Sequence, residues 1–276
     1  MAVNHTPAGN DSTLNNPTRG DALAPVEVVA TQDQADLIEH ARVRFIEVVT
    51  QAQQEKDYAR VVLTGGGAGI GLLKSLAQDS SVKADDGTSV AIDWSRVLIF
   101  FGDERFVAAD SDDRNEKQAR EALLDQVSVP EEHIFGYRST ELTGDGAELS
   151  AEAEAAAQDY SQVLAEHAVE GFDLHLLGMG EEGHINSLFP HTAELAEETE
   201  LVVPVHNCPK PPPNRISLTK PAISLADQVW LLVSGAAKAE AAQQVIVRGD
   251  AQQWPAAGVS GKQATVLFID QAALAR

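Results

Sequence analysis

The stretch Phe172–Pro190, F-D-L-H-L-L-G-M-G-E-E-G-H-I-N-S-L-F-P, decides how the chain is read. It opens with Phe172, Leu174, Leu176 and Leu177, an apolar run of the length and content of a buried strand. The run stops at Gly178-Met179-Gly180 and reaches Gly183-His184 after an acidic pair. Three glycines in six positions let the backbone turn sharply and approach a ligand closely. A histidine just beyond the carboxyl end of a strand stands where open α/β sheets place their ligands.

Working outward, strands and helices alternate on both sides. Strands are predicted at Val26 to Ala30, Val61 to Leu63, Val97 to Phe101, Leu201 to Val205, Arg215 to Thr219, Gln228 to Val233 and Thr265 to Ile269. Ala35, Ile38, Val43, Ile46 and Val49 have helical spacing between Asp33 and Glu55, with Thr31 or Asp33 as cap. Further helices are predicted after Gly69, over Arg114 to Leu124, Ala147 to His167 and Ala236 to Val247. Continuously apolar strands between helices indicate a three-layer, Rossmann-like, mostly parallel α/β sheet with helices on both faces. Residues 1–24 are polar and expected to be a disordered leader, and residues 25–276 one α/β domain.

The formal net charge is -22, from 42 acidic and 20 basic residues. That balance argues against nucleic acid as a partner. It also requires any anionic substrate to be held by a few placed cations against the overall field. Cys208 is the single cysteine, so no intramolecular disulfide forms, and its neighbours Asn207 and Pro209 do not activate it. No apolar run reaches membrane-spanning length and no secretory signal core is present, so a cytoplasmic location is expected and no membrane partner.

Thr64-Gly65-Gly66-Gly67-Ala68-Gly69 follows a strand and opens a helix, the setting in which backbone N–H groups bind phosphate. A dinucleotide fingerprint fails because Ile70 stands at the third glycine, and a P-loop fails because Leu73 precedes Lys74-Ser75. Glycines used only for tight packing remain the alternative. Gly102-Asp103-Glu104-Arg105 ends a strand in charges that must be solvated, paired or functional. Arg105 could dock a phosphate while Asp103 or Glu104 orients it or a catalytic group; a structural ion pair is the other reading. Prolines stiffen Pro209–Arg215, which presents Lys210 and Arg215 either to an anion or to solvent. His184 titrates near neutrality and suits a general base. His175, His184, His191 and His206 match no zinc spacing, so no metal is expected.

Together these stretches resemble the 6-phosphogluconolactonase family. The matching residues are T-G-G-G at Thr64 to Gly67, G-D-E-R-F-V at Gly102 to Val107 and G-M-G-E-E-G-H-I-N-S-L-F-P at Gly178 to Pro190. P-K-P-P-P-N-R-I-S-L-T at Pro209 to Thr219 and S-G-A-A-K at Ser234 to Lys238 complete the set. The resemblance implies the sugar-phosphate isomerase/CoA-transferase type of fold and cofactor-free hydrolysis of 6-phosphoglucono-δ-lactone to 6-phosphogluconate in the pentose phosphate pathway. It implies His184 as the base and Asp103 as a group orienting the histidine or the substrate. Gly65, Gly66, Arg105, Lys210 and Arg215 would hold the phosphate and ring hydroxyls. A monomer is expected, with a dimer as the alternative.

The sequence departs from the family pattern at Glu182 (usually aspartate), Asn186 (usually small), Gly67 (commonly serine) and Arg114-Asn115 (frequently Ser-Asn). Glucosamine-6-phosphate deaminases resemble the histidine loop but continue differently after Gly-His, and Asn186 to Pro190 favours the lactonase. A silent sugar-phosphate-binding protein is the reading from a different class.

Overall fold

The computed structural model describes residues 23–83, 87–144 and 146–275. The leader expected over residues 1–24 lies, up to residue 22, outside them. The outward half of the chain runs β1 (Glu27–Thr31), α1 (Gln34–Glu55), β2 (Ala59–Leu63), α2 (Gly66–Gln78), the short strands β3 (Ser81–Lys83) and β4 (Ser89–Ala91), and β5 (Val97–Phe101). It continues through β6 (Asp103–Arg105), α3 (Asn115–Ala122) and α4 (Ala147–His167) to β7 (Phe172–Gly178). The return half holds β8 (Val202–Val205), β9 (Arg215–Leu218), α5 (Lys220–Ile223), β10 (Ala226–Val233), α6 (Ala239–Val247), β11 (Ala264–Asp270) and α7 (Gln271–Leu274).

Six strands form a sheet in the order β1-β11-β10-β7-β2-β5, and every pairing in it is parallel. From β1 through β2 to β5 the chain moves toward one edge; from β7 through β10 to β11 it moves back toward the other. Right-handed crossovers therefore put the helices of the two legs on opposite faces. The direction reverses between the neighbours β2 and β7, so the loops leaving their carboxyl ends diverge and open a crevice. Those loops are the glycine turn and the histidine loop.

The apolar runs fill the middle layer. Val97 to Phe101 are all buried, as are Phe172, Leu174, Leu176 and Leu177 on β7 and Val229 to Val233 on β10. Each such side chain contributes about 1.5–3 kcal/mol by leaving water. Asp33, not Thr31, caps α1 by accepting the N–H of Asp36 at 2.9 Å, while Thr31 Oγ1 donates to the Ile269 carbonyl. The buried stripe of α1 runs through Leu37, Ala41, Phe45 and Val49; Ala35, expected on it, is exposed and Ile38 and Val43 are half-buried.

Two departures from the sequence reading matter for the site. Gly102 breaks the chain between β5 and β6, and β6 joins β9 and β8 in a separate antiparallel sheet of three strands. Asp103 thereby faces Ser217 and Arg105 faces Arg215. The outer edge of β5 is also covered. Phe135 N–H donates to the Ile99 carbonyl at 2.9 Å. Phe101 donates its N–H to the Tyr160 hydroxyl at 3.0 Å and accepts the Tyr137 hydroxyl at 3.1 Å.

Candidate active site

The cleft at the β2/β7 switch is lined by Thr64 to Gly69, Gly178 to Gly180, His184, Asn186, Asp103, Arg105, Asn115, Arg215, Leu232 and Lys238. The two loops are stitched together where they leave the sheet, Gly178 N–H donating to Thr64 Oγ1 at 3.0 Å. At one end of the cleft Gly65 caps α2 without a side chain and Gly66 takes φ +79°, a left-handed value that favours glycine. The first turn of α2 has no acidic residue, so its free N–H groups and the positive end of the helix dipole face the cleft.

Arg105 borders this helix end, its Nη1 donating to Asn115 Oδ1. Its Nε is buried without a partner. Asn115 Nδ2 donates to the Asp103 carbonyl at 2.9 Å and to its Oδ1 at 3.0 Å. Asp103 Oδ2 accepts the Ser187 hydroxyl at 2.7 Å, with Arg215 Nη1 at 3.8 Å. Lys238 also lines the cleft; burial foremost, helped by nearby Lys210, pulls its pKa down against Asp270 and Glu181.

Glu104 turns away from the cleft. It is 1% exposed and accepts the N–H groups of Arg105, Asn115 and Glu116, capping α3 from outside the helix. Burial pushes its carboxyl up to about 7, opposed by Arg114 and those three donors. The acidic pair at this strand end thus divides its work: Asp103 faces the site and Glu104 anchors the helix that carries Asn115.

At the other end the histidine loop is a tight turn. Gly183 N–H donates to the Gly180 carbonyl and Gly180 N–H to the His184 carbonyl, both at 3.0 Å. A Cβ at Gly180 would run into the His184 ring. The imidazole stacks on Phe189 with ring centroids 4.3 Å apart. Its Nδ1 lies 3.3 Å from Glu182 Oε2, an ion-pair distance outside the geometry of a directed hydrogen bond. Nε2 makes no hydrogen bond to the described residues. Burial lowers the pKa of His184, with Glu182 pulling it back up, Lys210 lowering it and Asp103 raising it. The imidazole is therefore neutral at physiological pH and able to accept a proton.

The sequence-predicted residues thus divide. Gly65, Gly66, Asp103, Arg105, His184 and Arg215 meet in one cleft. Lys210 stands at the rim, 46% exposed, its Nζ 3.0 Å from Glu182 Oε2. Arg215 is 4% exposed and spends its guanidinium on the proline loop, Nε on the Pro212 carbonyl and Nη2 on those of Lys210 and Pro211. Its Nη1 lies on the cleft side, 3.5 Å from Ser187 Oγ and 3.8 Å from Asp103 Oδ2. The carboxylate beside the histidine is Glu182; Asp103 is bonded to Ser187 and Asn115 instead. Asn115 and Ser187 went unassigned in the sequence, although Asn115 stands in a position noted for its neighbour Arg114. His175, fully buried in β7, has its pKa lowered by burial to about 3 and lies away from the cleft.

A family model described as glucosamine-6-phosphate isomerases/6-phosphogluconolactonase matches residues 32–268. The chain belongs to that family. Within it, the 6-phosphogluconolactonase of Mycobacterium leprae is 43% identical over 258 residues, 92% of this chain and 98% of its own. That of Mycobacterium tuberculosis is 44% identical over 250 residues, 88% and 95% of the two chains. Among solved structures, 6-phosphogluconolactonase from Thermotoga maritima superimposes with a TM-score of 0.74 at 24% identity, covering 89% of this chain and all of its own. A monomeric glucosamine-6-phosphate deaminase reaches 0.68 at 20%, covering 90% and 99%. These two share the fold, and at such identities the fold alone.

Proposed function

We propose that this chain hydrolyses 6-phosphoglucono-δ-lactone to 6-phosphogluconate, the oxidative pentose-phosphate step, with His184 as general base. The observation that carries the reading is a neutral, stacked imidazole sharing one cleft with an uncapped helix N-terminus and Arg105. The substrate phosphate docks on the N–H groups at Gly66 and Gly67, with Arg105 and Lys238 supplying the positive charge that the acidic chain otherwise lacks. Asp103 accepts from a ring hydroxyl.

Glu182 favours the tautomer with the proton on Nδ1, leaving Nε2 to remove a proton from water as that water attacks the lactone carbonyl. The tetrahedral intermediate collapses with cleavage of the ring C–O bond, and the proton held on Nε2 passes to the departing ring oxygen. One water is consumed, and the acid and hydroxyl of 6-phosphogluconate result. A lactone is an activated ester, so a placed base needs little further help. The residues Asn186 to Pro190 after Gly-His favour this reaction over the deaminase chemistry of the same fold. We place the enzyme in the cytoplasm; among the described residues no helix is long and apolar enough to cross a membrane.

The test measures products. Acid release from the lactone should exceed the spontaneous blank, and glucosamine 6-phosphate should release no ammonia; ammonia would overturn the reading.

A further inference from the structure

Asp103 and Arg105 lie two residues apart on β6, and side chains two apart on a strand share a face. An aspartate and an arginine so placed would be drawn into a direct ion pair. They form none: among the described residues Arg105 has no carboxylate within ion-pair distance, in a chain with 42 acidic residues. Asn115 stands between them. Its Nδ2 donates to the Asp103 carbonyl and to Asp103 Oδ1, and its Oδ1 accepts from Arg105 Nη1. The amide is bonded at its nitrogen to Asp103 and at its oxygen to Arg105, so its orientation is determined.

The asparagine is 3% exposed and held from behind as well. Its own N–H donates to Glu104 Oε1 at 2.7 Å, fixing where α3 begins. From the front, a Cβ at Gly65 would meet Asn115 Oδ1, so the glycine turn leaves the room the amide occupies. The cation of Arg105 is thereby kept unneutralised, with its Nε buried and unpartnered, at the helix end where an anion docks.

We propose that Asn115 is a positioning residue, a neutral spacer that keeps Arg105 from collapsing onto Asp103 and so leaves the guanidinium unneutralised for the substrate phosphate. The inference rests on reading the cleft as a phosphosugar site, and it predicts a coupling that a packing role would not produce. Inorganic phosphate binding is measured by calorimetry on the unmodified chain, Asn115→Ala, Arg105→Ala and the double variant. Asn115→Ala should weaken phosphate binding and raise KM about tenfold, the scale of one charge-assisted hydrogen bond, with kcat nearly unchanged. In the Arg105→Ala background the same change should add nothing. Asn115→Asp, isosteric and keeping the backbone cap, should weaken binding at least as much, since its charge would neutralise the arginine.

An equal loss in both backgrounds, an unchanged affinity, or a lower melting temperature with KM untouched would each overturn the proposal. If the unmodified chain failed to hydrolyse the lactone while the phosphate coupling held, the functional reading would fall and the spacer role would stand.

Discussion

The two ends of the cleft are held in different ways. At the anion end, Asn115 is 3% and Asp103 7% exposed, and their polar atoms are bonded to Arg105, Ser187 and each other. At the other end, His184, the proposed base, rests on Phe189 and faces a single carboxylate oxygen, which it shares with the half-exposed Lys210. Buried groups already held by placed neighbours lose little freedom when a ligand arrives. A base flanked by charges near water stays responsive to them. Recognition is therefore built in, whereas proton affinity is adjustable from the rim.

The largest effect should come from removing the base. His184→Ala should lower kcat by about 10²–10⁴-fold, the usual worth of a placed general base, with phosphate affinity retained. Unchanged turnover would remove His184 from the reaction and erase the distinction between the two ends. Next comes the anion end. Gly65→Ala puts a methyl group against Asn115 Oδ1 and 3.5 Å from Arg105 Nη1. KM should rise about tenfold with kcat kept, again the scale of one charge-assisted bond; a fall in kcat alone would mean that the rigid end also serves the chemistry.

The smallest effects are shifts in pH dependence. The acid limb of kcat/KM should fall below pH 6.5, because burial disfavours the imidazolium. Glu182 stabilises that cation, so Glu182→Gln should move the limb to still lower pH. Lys210 repels it, so Lys210→Met should move the limb the other way. Rate profiles corrected for spontaneous hydrolysis decide this, and limbs that stay put in both variants would mean that the rim charges do not reach the base.

Much of this was readable in the residues, for a physical reason. Long apolar strands and glycine-flanked loops leave local marks, so β5, β7, β10 and both cleft loops fall where the sequence puts them. The short strand β6 leaves none: three residues cannot show a period, and Asp103–Arg105 reads as a strand end until β9 is seen beside it. The contacts of Arg215 and Glu182 were equally hidden. Whether a cation meets a ligand or its own loop's carbonyls depends on which way a guanidinium turns, and Arg215 turns inward. Asp103 is expected to orient the histidine or the substrate; the carboxylate within ion-pair distance of the histidine is Glu182, and a separate small sheet puts Asp103 in the cleft wall among Ser187 and Asn115, a placement that only the tertiary structure shows.

The covering of β5 has a consequence for how the molecule behaves in a crowd. An edge strand invites another chain to pair with it, the first step of aggregation by sheet extension. Here the invitation is withdrawn at the residue next to the site, because two stacked tyrosines occupy both backbone groups of Phe101 and the Phe135 N–H takes the Ile99 carbonyl. The sheet ends beside the cleft, and a neighbouring chain finds no free rung there on which to build.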